Sequence, residues 1–314
     1  MIDPPLIIQS VDLSAMRKYG LELYIVRGDL THPDISGNKW YKLKYNLKYA
    51  MEKGYKAILS FGGAYSNHLH ALAAAGHQYQ LKTIGVVRGH WRTEYTATLQ
   101  DAVNWGMQLV PVTHEDYRRR YDQSWVEEQL ANWLQVSGLA QEGVTGKEVL
   151  VVPEGGSNRD GVRGVRDWAG EIYSRFDRPV TIVLPVGSGG TIAGFAAENS
   201  RHQVVGISVV KAAESQRQTV EALLAEGQGD GSSWEIVSGF EGAGYGKWDQ
   251  QLVTSLNEVN RQVGIPLEPV YSGKAFHAMM TLAGSGHFNT AQVVFVHTGG
   301  LQGGRSEPAL EWLA

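Results

Sequence analysis

The strongest constraint on this chain is an alternation kept up over almost its whole length, in which short apolar runs rich in β-branched residues are each followed by a longer amphipathic pattern. The runs are LELYIV (21–26), KAILSF (56–61), KTIGVV (82–87), MQLVPV (107–112), EVLVVP (148–153), PVTIVLP (179–185), QVVGISVV (203–210) and AQVVFVH (291–297). They are continuous rather than alternating, so both faces of each strand are buried, as in parallel sheets covered by helices on both sides. Helical patterns fill 39–53, 66–79, 94–105, 114–136, 159–175, 190–200, 212–226, 247–263 and 272–284, and several stop at Gly54, Gly76, Gly106, Gly138 or Gly264. Glycine there lets a left-handed residue close the helix. The pattern predicts right-handed βαβ units and an open α/β fold. A chain of 314 residues with this many strands is expected to carry two sheets. The irregular stretch 137–148 is the expected return point between them, and 226–233 reads as a surface loop.

Composition removes several function classes. With no cysteine there is no disulfide framework, thiolate metal site or cysteine nucleophile. Lys and Arg total 28 against 32 Asp and Glu, so no basic field invites nucleic acid. No apolar run approaches the roughly 20 residues that span a bilayer. The start, MIDPPLIIQSVDL, lacks the basic and apolar regions of a signal peptide, and a cytoplasmic location is expected. The 38 glycines exceed the usual share of about 7% without any collagen-like period, so they belong to ordered turns.

Three of those turns carry chemistry. Ser36-Gly37-Asn38-Lys39 opens a helix, with Asn38 as a plausible cap and Lys39 in the first turn. There the helix dipole and partial burial disfavour a cation, which lowers an amine's pKa and makes it a nucleophile and base. Ser60-Phe61-Gly62-Gly63-Ala64-Tyr65-Ser66-Asn67-His68 is again strand, turn and helix start; Ser66, Asn67 and free amides suit a carboxylate. The strand VTIVLPV runs into Gly187-Ser188-Gly189-Gly190-Thr191, whose amides make a phosphate cradle without any cation. A dinucleotide fingerprint fails because Ile192 stands where its third glycine belongs, and neither a Walker A motif nor a G-x-S-x-G elbow is present. His68 and His70 lie about 200° apart on a helix and cannot chelate one metal, so no metal is expected. An amine, a carboxylate site and a phosphate cradle, all at strand-to-helix junctions, are what pyridoxal phosphate and an amino acid require.

At these residues the sequence resembles the fold-type II pyridoxal-phosphate enzymes, in the branch containing 1-aminocyclopropane-1-carboxylate (ACC) deaminase and D-cysteine desulfhydrase. The resemblance runs from Gly37-Asn38-Lys39 to His297-Thr298-Gly299-Gly300. It implies that Lys39 forms the Schiff base, Lys42 helps hold the phosphate, and Asn67 bonds the cofactor's phenolic oxygen. Ser66 is implied at the substrate carboxylate, or as acid or nucleophile near the substrate, with His68 beside it. Gly187, Ser188, Gly189, Gly190 and Thr191 match the phosphate loop, and Glu154-Gly155-Gly156-Ser157-Asn158 resembles a further family turn. Tyr245 and Tyr271 match active-site aromatics. ACC deaminases resemble one another in having Glu after the second tyrosine and Leu at the position of Thr298; Ser272 and Thr298 here resemble the D-cysteine desulfhydrase type. A hydroxyl against the pyridine nitrogen tolerates its neutral form and gives a weaker electron sink, which suits β-elimination. Trp40-Tyr41 and His68-Leu69-His70 depart from the family pattern, and bulky aromatics near the cofactor are expected to reshape the pocket.

These observations predict two open parallel-sheet, three-layer domains of the tryptophan synthase β-like kind. The smaller, 43–150, is inserted in a larger one built from 1–42 and 151–314, with pyridoxal 5'-phosphate in the cleft between. The expected activity is α,β-elimination on a small amino acid, D-cysteine for preference, to a 2-oxo acid and ammonia. ACC deamination is the rival, and binding of cofactor or small molecule without turnover is the non-enzymatic alternative. A homodimer is implied by resemblance alone.

Overall fold

The computed structural model describes residues 3–89, 94–198, 201–227 and 233–313. Most of the expected loop at 226–233, and the end of the helix expected at 190–200, lie outside the described residues. In chain order the elements are β1 (Ile8–Val11), α1 (Ser14–Lys18), β2 (Glu22–Arg27), α2 (Asn38–Lys53), β3 (Ala57–Gly62), α3 (Asn67–Tyr79), β4 (Lys82–Arg88), α4 (Ala97–Asn104), β5 (Gln108–Val112), α5 (His114–Arg118) and α6 (Gln123–Val136). They continue with β6 (Val149–Val151), α7 (Arg159–Tyr173), β7 (Thr181–Val186), α8 (Gly190–Glu198), β8 (Gln203–Ser208), α9 (Ala213–Gly227), β9 (Trp234–Val237), α10 (Gln250–Val263), α11 (Ser272–Gly284) and β10 (Gln292–His297).

The strands form two sheets, one ordered β1-β2-β10-β7-β8-β9 and the other β5-β4-β3-β6. Every pairing is parallel except β1 with β2, which run antiparallel with Ile8 opposite Val26. This is the open α/β architecture that the alternation predicts. Strands β3 and β7 are buried at every residue, which is why their sequences carry no polar alternation. Two elements depart from expectation. The helix expected at 114–136 is broken at Arg119–Asp122, because Asp122 turns its carboxylate onto the Trp125 amide and caps a fresh helix, α6. Strands β1 and β9 and helix α1 escape sequence reading because four or five residues are too few to show a period.

Helix α2 positions the site, and its own packing is close. A Cβ on Gly164 of α7 would lie 1.9 Å from the Tyr41 carbonyl oxygen, so the two helices meet at a point only glycine permits. Tyr41 stacks on Trp168 at 4.6 Å between ring centroids, and Trp40 stacks on His32 at 5.3 Å. Both aromatics are buried in the core and neither lines the cleft, which corrects the expectation that they reshape the pocket. They follow Lys39 in sequence, but 3.6 residues per turn rotates them onto the face turned to α7 and the protein interior. No helix among the described residues is long and apolar enough to cross a membrane.

Candidate active site

A cavity of about 400 Å³ lies at the carboxyl ends of both sheets' strands, where open α/β folds bind ligands. Helix α2 enters it from Gly37, whose φ of +60° and contact with the Thr298 carbonyl, 1.9 Å from where a Cβ would sit, exclude any side chain. Asn38 does not cap α2 as the sequence suggests: its amide donates to Thr191 Oγ1 at 2.8 Å, and its Oδ1 accepts from Lys39 Nζ at 3.0 Å. Burial pushes the Lys39 ammonium down to about 8, so roughly a tenth of the amine is free base at pH 7. One turn further on, Lys42 is almost wholly buried and donates to the Gly155 carbonyl at 2.9 Å and to Ser157 Oγ at 3.2 Å. Burial first, and the Lys39 charge second, hold its amine well below the ordinary lysine range. Among the described residues no carboxylate pairs with it.

Opposite these lysines, β7 ends in Gly187-Ser188-Gly189, and α8 begins at Gly190. Gly189 has φ of +86°, and the first turn of α8 leaves its amides facing the cavity without intrahelical partners. A Cβ on Gly190 would lie 2.6 Å from Ser157 Oγ and 2.8 Å from Lys42 Nζ, so the cradle closes on the ammonium only because glycine stands there. Ser188 Oγ and Ser157 Oγ share a hydrogen bond of 2.7 Å. The turn is braced by Gln216, whose amide donates to the Val186 and Gly187 carbonyls at 3.0 and 2.9 Å.

Helix α3 faces the same space. Ser66 caps it, its Oγ accepting from the Leu69 amide at 3.2 Å, so this hydroxyl first serves the helix. Asn67 Oδ1 accepts from Gln302 Nε2 at 2.8 Å, and its amide nitrogen lies where a Cβ on Gly300 would be, at 1.9 Å. His68 is buried with Nε2 at 2.9 Å from Ser60 Oγ. Ser60 gives its single hydroxyl proton to the Val152 carbonyl at 2.7 Å, so it must accept from His68 Nε2–H. His68 Nδ1 is then an unprotonated acceptor, and it has no partner. Burial, with Lys39 and Lys42 adding, holds this imidazole well below its usual pKa and therefore neutral. His70 turns away onto Asp101, at 3.0 Å from its Nε2.

Tyr245 and Tyr271 come together with ring centroids 6.1 Å apart. The Tyr65 amide donates to Tyr245 Oη at 3.0 Å, fixing that ring against the start of α3. Burial raises both phenols, so each is a proton donor and not a phenolate. Thr298 lines the cavity; Ser272 does not. Its Oγ lies 3.1 Å from both the Glu268 amide and Glu268 Oε1, and the same carboxylate accepts from the amides of Val270, Tyr271 and Ser272. Five titratable cavity residues carry no role in the sequence reading: Arg88, Arg120, Tyr121, Glu154 and Lys211. Of these, only Glu154 stands in a motif, the Glu-Gly-Gly-Ser turn.

Pyridoxal phosphate fits this donor set. A buried ammonium without a counter-anion, beside a glycine cradle that a Cβ would fill, asks for a phosphate, and a second amine one helical turn away is placed for the aldehyde. The sequence pattern of the family described as pyridoxal-phosphate dependent enzyme matches residues 5–299. The chain belongs to this family. A Thermotoga maritima protein provisionally named 1-aminocyclopropane-1-carboxylate deaminase is 33% identical over 298 residues, covering 91% of each chain. An Arabidopsis thaliana protein named bifunctional D-cysteine desulfhydrase/1-aminocyclopropane-1-carboxylate deaminase, mitochondrial, is 30% identical over 307 residues, covering 90% of this chain and 73% of that one. Among solved structures, one described as an ACC deaminase homologue superposes with a TM-score of 0.80 at 28% identity, covering 96% of this chain and 91% of that one. This pyridoxal-phosphate enzyme has the fold-type II architecture and belongs with the family's lyases and deaminases.

Proposed function

We propose that the chain removes a β-substituent and the amino group from a small D-amino acid of the D-cysteine type. With D-cysteine, water enters and sulfide, ammonia and pyruvate leave. Bound pyridoxal phosphate supplies an electron sink for the carbanion at the substrate's α-carbon. The chain's residues supply the rest. Lys39 Nζ, with its proton affinity lowered to about 8, anchors the aldehyde and then takes the α-proton. Lys42 and the Gly187–Thr191 turn grip the phosphate, and the start of α3 at Ser66 and Asn67 orients the substrate carboxylate. Tyr245 and Tyr271, held protonated, donate hydrogen bonds near the departing group.

The observation that carries the choice of β-elimination is that Thr298 lines the cavity, whereas the Glu268 carboxylate does not line it and is engaged by backbone amides and Ser272. A neutral partner for the ring nitrogen suits a substrate that expels a good leaving group. ACC deamination is the second reading, supported by the relatives' names. Assaying sulfide and pyruvate from D- and L-cysteine, beside 2-oxobutanoate from ACC, tests the choice. Turnover of ACC alone would sink the first reading, and absence of lysine-linked cofactor absorbance would sink both. We also take 43–150 as the smaller domain and the enzyme as a cytoplasmic homodimer, to be checked by limited proteolysis, fractionation and light scattering.

A further inference from the structure

Besides Lys39, four cations line the cavity, and three are accounted for. Lys42 belongs to the cradle, Lys211 is an exposed residue beyond β8, and Arg120 Nε donates to Glu154 at 2.7 Å. Arg88, half-buried at the carboxyl end of β4, is different. Among the described residues it has no carboxylate and no hydrogen-bond acceptor; its guanidinium lies over two ring faces, Tyr245 at 5.2 Å and Tyr117 at 5.6 Å. Both rings are fixed by other partners: Tyr245 Oη by the Tyr65 amide, and Tyr117 Oη by Glu154, to which it donates at 2.7 Å. Glu154 already accepts from Tyr117, Arg120 and Tyr121, so it is not free to neutralise Arg88. Stacking on aromatic faces orients a guanidinium while leaving its in-plane N–H donors unused, and such a fork matches a carboxylate or phosphate bidentately.

Position decides which anion. Along the cavity wall Tyr271 touches the cradle, where its Cε1 would be 3.6 Å from a Cβ on Gly187; Tyr245 follows at 6.1 Å, and Arg88 lies beyond Tyr245. The ring contacts of Arg88 are thus with Tyr245 and Tyr117, and the cradle's is with Tyr271, while the substrate's α-carboxylate is assigned above to the start of α3. We propose that Arg88 receives a second anionic group, carried on the ligand's side chain, and that the cavity prefers amino acids with an anionic β-substituent: a phosphate, which can also depart with the bonding electrons, or a carboxylate, which binds without being eliminated. This rests on the reading of the cavity as an amino-acid site and narrows its substrate class.

The test is calorimetric binding to the cofactor-loaded protein of two pairs that differ only in side-chain charge: aspartate with asparagine, and O-phosphoserine with serine, each as both enantiomers. The expected result is that at least one anionic member binds about 10- to 100-fold tighter than its neutral partner, the yield of one charge-assisted fork. Arg88→Gln brings that ratio close to one, and Arg88→Lys, which keeps charge but not the fork, leaves an intermediate ratio. Preference for one pair over the other tells carboxylate from phosphate. The proposal is overturned if neither anion is preferred by the wild type, or if Arg88→Gln weakens the charged and neutral members equally, which would place Arg88 on the α-carboxylate. Cofactor absorbance and melting temperature report whether each variant is folded. Binding is independent of turnover: a protein that selects aspartate but eliminates nothing from D-cysteine sinks the catalytic reading and leaves this one standing. One that consumes D-cysteine without selecting either anion does the reverse.

Discussion

The turn after β7 and the wall that continues from β4 line one cavity with different materials. Behind β7 the groups that meet the ligand are backbone amides, two serine hydroxyls and a single ammonium, drawn together by glycines at 187, 189 and 190. Beyond β4 they are side chains: Arg88 on two rings, and Arg120 with Tyr117 and Tyr121 around Glu154. Backbone amides on a fixed turn give a rigid receptor for one invariant group, which in the proposed function is the phosphate. Charged side chains can be exchanged one at a time without disturbing the chain's path, so that wall is where a shared scaffold sets its choice of substrate.

The comparison is broken first at the lysine that both sides serve. Lys39→Ala should lower turnover by at least about 10⁴-fold and abolish the lysine-linked absorbance, since it removes anchor and base together; a steady-state assay with a spectrum checks both. Next comes the cradle. Gly190→Ala places a methyl group 2.8 Å from Lys42 Nζ and 2.6 Å from Ser157 Oγ. Overpacking of that kind should weaken cofactor binding by about 10- to 100-fold, measured by titrating the cofactor into stripped protein. If affinity is unchanged, the cradle does not close as described.

Two smaller effects sharpen the contrast. Lys39 releases its proton at about 8 in the folded chain and at its ordinary value of 10.5 when unfolded. Between those values the unfolded chain binds the extra proton, so the cofactor-free protein should gain stability as pH rises through this window. Lys39→Met should flatten that rise in denaturant melts, and Lys42, lowered in the same direction by burial, should add to it. Smallest is Glu154→Gln. It loosens a half-exposed pair with Arg120 and should cost about 1 kcal/mol, or about 2 °C in melting temperature. It also frees Arg120, so affinity for anionic amino acids should rise slightly.

The same contrast explains what could be read from sequence. The cradle was legible because a backbone receptor has to be contiguous: strand, glycines and helix start occupy 181–198 in one piece. The fold was legible for a similar reason, since each βαβ unit writes its own period. Arg88, Tyr117 with Arg120, Glu154 and Tyr245 come from four segments, and nothing local distinguishes Arg88 from any other arginine ending a strand. Trp40 and Tyr41 mislead in the opposite direction, being next to Lys39 in sequence but stacked on His32 and Trp168 in the core. Ser272 is close to the site by motif, yet its hydroxyl is committed to Glu268.

Lys39 and Lys42 stand one turn apart on α2, a rise of about 4.5 Å along its axis. The covalent anchor and phosphate grip proposed for them are therefore set by a single rigid rod, and the rod works as a gauge. The span between the two amines is held by helical hydrogen bonds, whatever the four-stranded sheet does. A cofactor held at both amines would ride on α2, while the residues proposed to read the substrate, Ser66, Asn67 and Arg88, stand on other elements, at the start of α3 and the end of β4.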